Sequence, residues 1–338
     1  MNPRLRLPAA VAAALLGLAL LAACGTPNPE TDSASAGTPP SAGSAFPVTV
    51  EHKFGSTTIP EQPQRVVTIG FNDQDFALAL GVEPVGVREF LGYPAPDRPW
   101  APEGVRGKEI PTVGAEELDL ERIAGLQPDL ILGINSYIDA ETYELLSGIA
   151  PTVAQTADHP DGATPWDEQT EQTGVALGRR DRAAELIEST AERFDAAVAE
   201  HPEFAGKRAA FLLGSGASGV WSVGTDDYRA GWLTQLGFAV DDTSGEVSYE
   251  KLDTLDRDVL IGEGVAQADL DRELMRQLAV VREGRYVGLG AFDDDFAAAL
   301  GFNSPLSIPF LLDIAVPRLA AAVDGDPATR PDPYPESR

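Results

Sequence analysis

The sequence predicts an α/β protein with two similar α/β lobes joined by a single long helix. Three observations lead there. From residue 65 onward, short β-branched runs alternate with helical stretches, the pattern of parallel α/β architecture. One helix–strand phrase occurs twice, in residues 121–133 and 250–262, with Glu, a basic residue, an apolar residue, Leu, Asp, strand and Gly at identical offsets. Between the two copies, residues 166–200 are almost continuously helix-forming, which supplies the connector.

Taken in order, residues 65–69 read as an apolar strand, followed by Gly70-Phe71-Asn72-Asp73 and a helix over 75–80. A Gly-Val-Glu-Pro turn leads to a strand at 85–87, and further strands are expected at 129–133 and 152–153. In the connector, Ala183, Leu186, Ile187, Thr190 and Phe194 recur on one helical face. Strands return at 209–213 and 259–261, and a helical run over 308–323 is interrupted by Pro317.

The chain's start is of another kind. Arg4 and Arg6, an apolar stretch over 11–21 and then Ala22 and Ala23 have the layout of a secretory signal over residues 1–23, too short and one-sided for a membrane span. The tetrapeptide Leu21-Ala22-Ala23-Cys24 resembles the lipobox of bacterial lipoproteins, in which the cysteine is acylated and becomes the first residue. Cys24 is the single cysteine of the chain, so no disulfide competes for it. Residues 24–45 are mostly Thr, Pro, Ser, Ala and Gly and are expected to be a disordered tether. The remaining domains are expected at 46–165 (N-terminal lobe), 166–200 (connecting helix) and 201–325 (C-terminal lobe), with a disordered tail at 326–338. The localisation that follows is the outer face of the cell membrane, reached through the lipid anchor alone.

Charge excludes some partners. There are 53 Asp and Glu against 25 Lys and Arg, a formal net charge of −28. Loss of Arg4 and Arg6 with the signal leaves 23 Lys and Arg against the same 53 acids, or −30. Phosphate recognition needs clustered cations, so no nucleic-acid role is expected, nor adsorption to anionic lipid beyond the anchor.

A family resemblance covers nearly everything from Pro47 to Val323. It is carried by Pro63-Gln64-Arg65-Val66-Val67, by Leu80-Gly81-Val82-Glu83-Pro84-Val85-Gly86-Val87 and by Leu126-Gln127-Pro128-Asp129-Leu130-Ile131. The phrase from Tyr143 through Ser147-Gly148-Ile149-Ala150-Pro151-Thr152 and that from Val280 to Val287 complete the set. In this order they resemble the class III solute-binding proteins of ABC importers, which carry ferric siderophores, haem or vitamin B12, and most of all the iron-siderophore branch. The resemblance implies a ligand cleft between two lobes held by one long helix, no enzymatic activity, and a monomer. In relatives one exposed glutamate on each lobe meets arginines of the permease; the matching positions are Glu121 and Glu250. Two carboxylates on opposite lobes give a two-point electrostatic register.

Open α/β sheets place ligands beyond their strand ends. The N-terminal lobe then offers Asn72, Arg88, Tyr93, Trp100 and Tyr137, and the C-terminal lobe Trp221, Tyr228, Arg229 and Phe292. The resemblance to hydroxamate-binding relatives favours Arg88 and Tyr137. A guanidinium offers fixed donors to the oxygens around ferric iron, and aromatic rings cover an apolar chelator backbone. No cofactor is expected; the ligand is expected to be a ferric siderophore, with haem or cobalamin as alternatives because Tyr or His could supply haem's axial ligand. His52, His159 and His201 are too widely spaced for a bare metal site. The Gly214-Ser215-Gly216-Ala217-Ser218-Gly219 run has dinucleotide-loop spacing but continues into an extended segment, and reads as a flexible cleft loop. Asp293-Asp294-Asp295 lacks calcium-loop alternation and reads as a helix start. A lipid-anchored hydrolase using Ser218, or a binding module of a sensor, are the rival readings.

Overall fold

The computed structural model describes residues 45–89, 95–292, 294–326 and 328–334, all within the unit that begins at Gly43. The expected signal, Cys24 and the tether up to residue 44 lie outside the described residues, as does Tyr93.

The N-terminal lobe opens with a hairpin, β1 (Val48–His52) and β2 (Gly55–Ile59). Then follow β3 (Val66–Thr68), α1 (Asp73–Ala79), β4 (Gly86–Val87), α2 (Leu120–Gly125), β5 (Leu130–Gly133), α3 (Ala140–Ser147) and β6 (Thr152–Ala154). The sheet runs β4-β3-β5-β6, all parallel. Parallel strands covered on both faces read as unbroken apolar runs, and the alternation within them decides which core each side chain joins. Val66, Leu130 and Leu132 enter one core with Ala77, Leu80 and Leu186, whereas Val67 and Ile131 enter the other with Ile123 and Leu146.

Two helices follow, α4 (Trp166–Ala176) and α5 (Arg180–Glu200). The expected single helix over 166–200 is therefore divided. Gly178 sits at φ +65°, and a Cβ there would lie 2.4 Å from the Phe46 ring, so the break needs glycine. The lobe-to-lobe link is α5 alone, about 31 Å long at 1.5 Å per residue. Its first half gives Ala183 and Leu186 to the N-terminal core, and its second half gives Phe194 and Ala197 to the C-terminal core. One rigid rod is thus cemented into both lobes.

The C-terminal lobe comprises β7 (Arg208–Ser215), β8 (Gly219–Val223), α6 (Gly231–Gln235), β9 (Ala239–Val240), β10 (Gly245–Ser248) and β11 (Val259–Glu263). It continues with α7 (Gln267–Leu270), α8 (Glu273–Gln277), α9 (Ala279–Arg282), β12 (Tyr286–Gly288), α10 (Asp295–Gly301) and α11 (Ser307–Val323). Its sheet runs β10-β8-β7-β11-β12, with β9 also pairing β7. The β7, β11 and β12 strands are mutually parallel, and β8 and β10 add antiparallel strands. The Gly214–Gly219 run, expected as a flexible loop, is instead the end of the β7–β8 hairpin, closed by Gly216 N–H donating to Gly219 O at 2.9 Å and by Tyr249 Oη donating to Gly216 O at 2.8 Å.

The repeated phrase has a structural meaning. In the first copy α2 feeds β5, and in the second a 3₁₀ segment at Tyr249–Leu255, kinked at Lys251, feeds β11. The shared aspartate locks each central strand to its parallel neighbour. Asp129 accepts from Gln64 and Arg65 N–H at 2.8 Å while its own N–H donates to Arg65 O at 3.0 Å. Asp258 accepts from Arg208 N–H at 2.7 Å and donates to Arg208 O at 3.0 Å.

Two expectations near the end change. Pro317 does not interrupt α11, because Ile308, Leu311, Leu312, Ala315 and Leu319 keep one face of that helix in the core on both sides of the proline. The segment expected to be a disordered tail is docked as far as Tyr334. Arg318 donates to Asp332 O and Pro333 O at 3.1 and 3.0 Å, and the Tyr334 ring meets Phe296 edge-on at 6.3 Å.

Candidate functional site

The C-terminal strand ends of both lobes face one another. On the N-terminal side, Asp73 binds two loops together. Its buried carboxylate accepts backbone N–H groups from Gly70 (3.0 Å), Ile134 (3.0 Å) and Asn135 (3.1 Å), joining the turn after β3 to the turn after β5. Gly70 must be glycine, since a Cβ would lie 2.3 Å from that carboxylate. Burial pushes the Asp73 carboxyl up to about 6, opposed by those three N–H groups and by Arg88. A second clasp joins the same loops: Asn135 Nδ2 donates to Asn72 Oδ1 at 2.9 Å. This framework presents Phe71, Asn72 and Tyr137. Tyr137 holds φ +57°, a conformation that costs a non-glycine residue about 1–3 kcal/mol and that clusters at ligand sites. It is half exposed, and its ring lies 5.5 Å from that of Phe71.

Arg88 lies in one pocket with Tyr137, largely covered by the surrounding loops. It is buried beneath this wall, with its guanidinium 4.4 Å from the Phe71 ring centroid. It donates to Ala115 O (2.6 Å), Glu116 O (2.8 Å) and Ser136 O (3.1 Å), with a longer contact to Ile69 O (3.5 Å). Most of its N–H groups are directed at backbone carbonyls, which ties these loops together, and the side chain also lines a surface pocket with Ser136 and Tyr137. Trp100 departs from expectation. It is buried in the C-terminal lobe's core against Phe310, and its Nε1 donates to Asp75 at 2.8 Å. Trp221 stands on the exposed face of β8, opposite Glu246 of β10.

From the C-terminal side, Asp227 starts a 3₁₀ turn at Tyr228–Ala230. Arg229 grips that aspartate with Nε at 2.9 Å from Oδ1 and Nη2 at 2.6 Å from Oδ2, which holds the Asp227 carboxyl below its ordinary range against the opposing effect of burial. Tyr228 Oη donates to Gly301 O at 2.8 Å, and burial pushes its phenol up to about 12. Phe302 meets Phe71 across the lobes at 5.9 Å, and Asn72 Nδ2 donates to Asn303 O at 3.5 Å. Phe292, 53 % exposed, lies over Gly214 and Gly264, where any Cβ would come within 2.8 Å of its ring. Below them Glu263 ends β11, 1 % exposed, with Oε1 lacking a hydrogen-bond partner. Burial pushes its carboxyl up to about 7, with Arg229 acting against the rise and Asp294 adding to it.

Asn72 and Tyr228 line one inner chamber of about 490 Å³, closed on the α5 side by Ile187 and Ala191, and Tyr137 lies against its Gly162 and within electrostatic reach of Asp227 and Arg229; Phe292 lines a separate pocket with Gly264, Tyr286 and Tyr334. Sequence reasoning did not select Phe71, Asp73, Asn135, Asp227, Glu263 or Phe302. Only Glu263 carried a legible signal, a carboxylate closing the apolar run of β11. Among the described residues no three His, Cys, Asp or Glu side chains assemble a metal site, and no helix is long and apolar enough to cross a membrane. Glu121 and Glu250 are both exposed, each in the first turn of its short helical segment.

Comparison with known proteins places this architecture. The sequence profile of the periplasmic binding proteins matches residues 71–283. The chain belongs to the periplasmic binding protein family. The probable siderophore-binding lipoprotein YfiY of Bacillus subtilis is 30 % identical over 233 residues, 66 % of this chain and 65 % of that protein. The ferric-anguibactin-binding protein FatB of Vibrio anguillarum is 30 % identical over 46 % of each chain. The matches thus span between about half and two thirds of these relatives. Among solved structures, a periplasmic solute-binding protein from Mycobacterium smegmatis superposes with a TM-score of 0.74 at 37 % identity, covering 82 % of this chain and 98 % of that one. Streptococcus pneumoniae PiaA in complex with ferrichrome gives 0.67 at 27 % identity over 82 % and 99 %. The family consists of binding proteins rather than enzymes, and the two-lobed α/β fold is the one these structures share.

Proposed function

We propose that this periplasmic binding protein is a lipid-anchored receptor that captures a ferric siderophore between its lobes and delivers it to an ABC importer. One observation carries the reading: an aromatic cleft of Phe71, Tyr137, Tyr228 and Phe302, two of them substantially exposed, on loops fastened by the Asp73 carboxylate and by the Tyr228 hydroxyl. Exposed rings on a rigid frame supply contact area at little conformational cost, as a bulky chelate requires. Relatives named for siderophore binding support the ligand class, and the name lipoprotein among them supports acylation of Cys24. Glu121 and Glu250 are the docking carboxylates of this reading, one on each lobe. With α5 set in both cores, lobe closure is small, and the loaded state is recognised by a modest change in the spacing of these two charges.

The test is a fluorescence titration of the full chain in detergent with ferric chelates, each beside its iron-free form. Trp166 and Trp232 line the chamber and report directly on its filling. Saturable, sub-micromolar quenching by an iron-loaded form alone is expected. Silence across ferric hydroxamates, catecholates, citrate, haem and cobalamin would overturn the receptor reading.

A further inference from the structure

Among the described residues, the cations near the cleft are already engaged by partners of the protein itself. Arg229 is bound through two of its nitrogens to Asp227. Arg88 directs most of its N–H groups at the Ala115, Glu116 and Ser136 carbonyls and lies beside Asp73, whose charge it offsets. Lys53, on the hairpin side, is paired with Asp161 at 2.6 Å, the acid that acts on the Tyr137 phenol. After these pairings two acids remain on the C-terminal wall, Glu263 and Asp294, without a cation of their own beyond Arg229. Among the described residues lining the inner chamber there is no Lys or Arg, and the single charged one is Asp167. The surrounding protein carries a large excess of negative charge.

Binding a multiply anionic chelate requires free guanidinium or ammonium groups to replace its hydration, and carboxylates at close range reject it. A neutral chelate needs only apolar contact and hydrogen bonds. A cationic one gains further from the faces of Tyr137 and Tyr228 and from Glu263. We propose that the cleft selects ferric chelates of zero or positive net charge, of the tris-hydroxamate type in which three hydroxamate anions cancel the iron charge, and rejects tris-catecholates and citrates. This rests on the receptor reading above and adds to it the charge class of the ligand. Asp227 and Glu263 are the residues that set the class: Asp227 by occupying Arg229, Glu263 by opposing a negative ligand.

The experiment is competition binding on the full chain at pH 8, above the value of about 7 to which burial raises Glu263, with four probes: ferrichrome (neutral), ferrioxamine B (cationic), ferric enterobactin (trianionic) and ferric citrate. Ferrichrome or ferrioxamine B is expected to bind at least 100-fold more tightly than either anionic probe. Tight binding of ferric enterobactin or ferric citrate, within tenfold of the hydroxamates, would overturn the charge assignment while leaving the receptor reading intact. Absence of binding by all four would overturn both. The Asp227→Asn/Glu263→Gln variant releases Arg229 and removes the second acid, so its preference is expected to move at least tenfold toward ferric enterobactin. If that variant does not fold, Glu263→Gln alone serves, with an expected loss of affinity for ferrioxamine B and none for ferrichrome. Unchanged ratios in a folded variant would overturn the roles given to these two acids.

Discussion

Replacement of Asp75 tests how the lobes are fastened beside the cleft. Asp75 lies on α1, and its carboxylate and the Arg98 guanidinium are 3 % and 4 % exposed, 3.4 Å apart. The same carboxylate accepts from Trp100 Nε1 at 2.8 Å and from Ser304 Oγ at 3.3 Å, and Ser304 belongs to the turn preceding α11. Trp100 meanwhile lies in the C-terminal core. One buried acid therefore ties α1, the 98–100 segment and the C-terminal lobe together, two residues from Asp73 and three from Asn72. Removing one partner of a buried ion pair leaves the other charge in a medium that cannot solvate it, at a cost of about 3–5 kcal/mol. Asp75→Ala is expected to fall in that range, a large share of a typical total stability of about 5–15 kcal/mol. Removing both charges is a different matter. Asp75→Leu/Arg98→Met exchanges the pair for apolar volume, which is commonly neutral or stabilising, while the Trp100 and Ser304 donors lose an acceptor at about 1–3 kcal/mol in all. The double variant should therefore lie within about 2 kcal/mol of the wild type by the same bookkeeping. Urea unfolding of the full chain, followed by tryptophan fluorescence, measures all three. A cost below about 1 kcal/mol for Asp75→Ala, or a double variant as unstable as the single one, would refute the role given to this ion pair.

Two further outcomes concern the exposed pair Glu121 and Glu250 and the buried Glu263. Glu121→Ala/Glu250→Ala is expected to abolish ligand-stimulated uptake while leaving chelate affinity unchanged; uptake that survived in the double variant would remove these residues from permease docking. The Glu263 carboxyl, raised to about 7 by burial, keeps in the native state a proton that the unfolded chain releases near pH 4.5. Its contribution to stability is therefore greatest below that pH and declines as pH rises toward 7, by up to about 3 kcal/mol. Glu263→Gln cannot titrate, so the difference in urea midpoint between wild type and variant should change across pH 4.5–7, with the variant gaining relative to wild type as pH rises. Parallel pH profiles of the two proteins would contradict the assignment.

Much of this molecule is determined locally. Continuous apolar strands flanked by glycine and aspartate define the parallel sheets, because a strand covered on both faces has no room for polar alternation. The duplicated phrase marks two equivalent lobes, since its aspartates perform the same strand-locking task in each. Residues standing shortly after strand ends (Asn72 and Tyr137) could be placed beside the chamber because open sheets put their ligand sites there. What the sequence does not determine is where long side chains go. Arg88 follows a strand as expected, yet three backbone carbonyls converge on it from loops nearly 30 to 50 residues away and engage much of its guanidinium. Trp100 is read locally as a cleft aromatic, but tertiary packing carries it into the opposite lobe's core. The division of the connector depends on the contact of Gly178 with Phe46, more than 130 positions earlier in the chain. Whether an arginine is available to a ligand, or a carboxylate is buried beneath one, is an electrostatic property of groups distant in sequence. Only the folded arrangement decides it, and with it the kind of charge the cleft can accept.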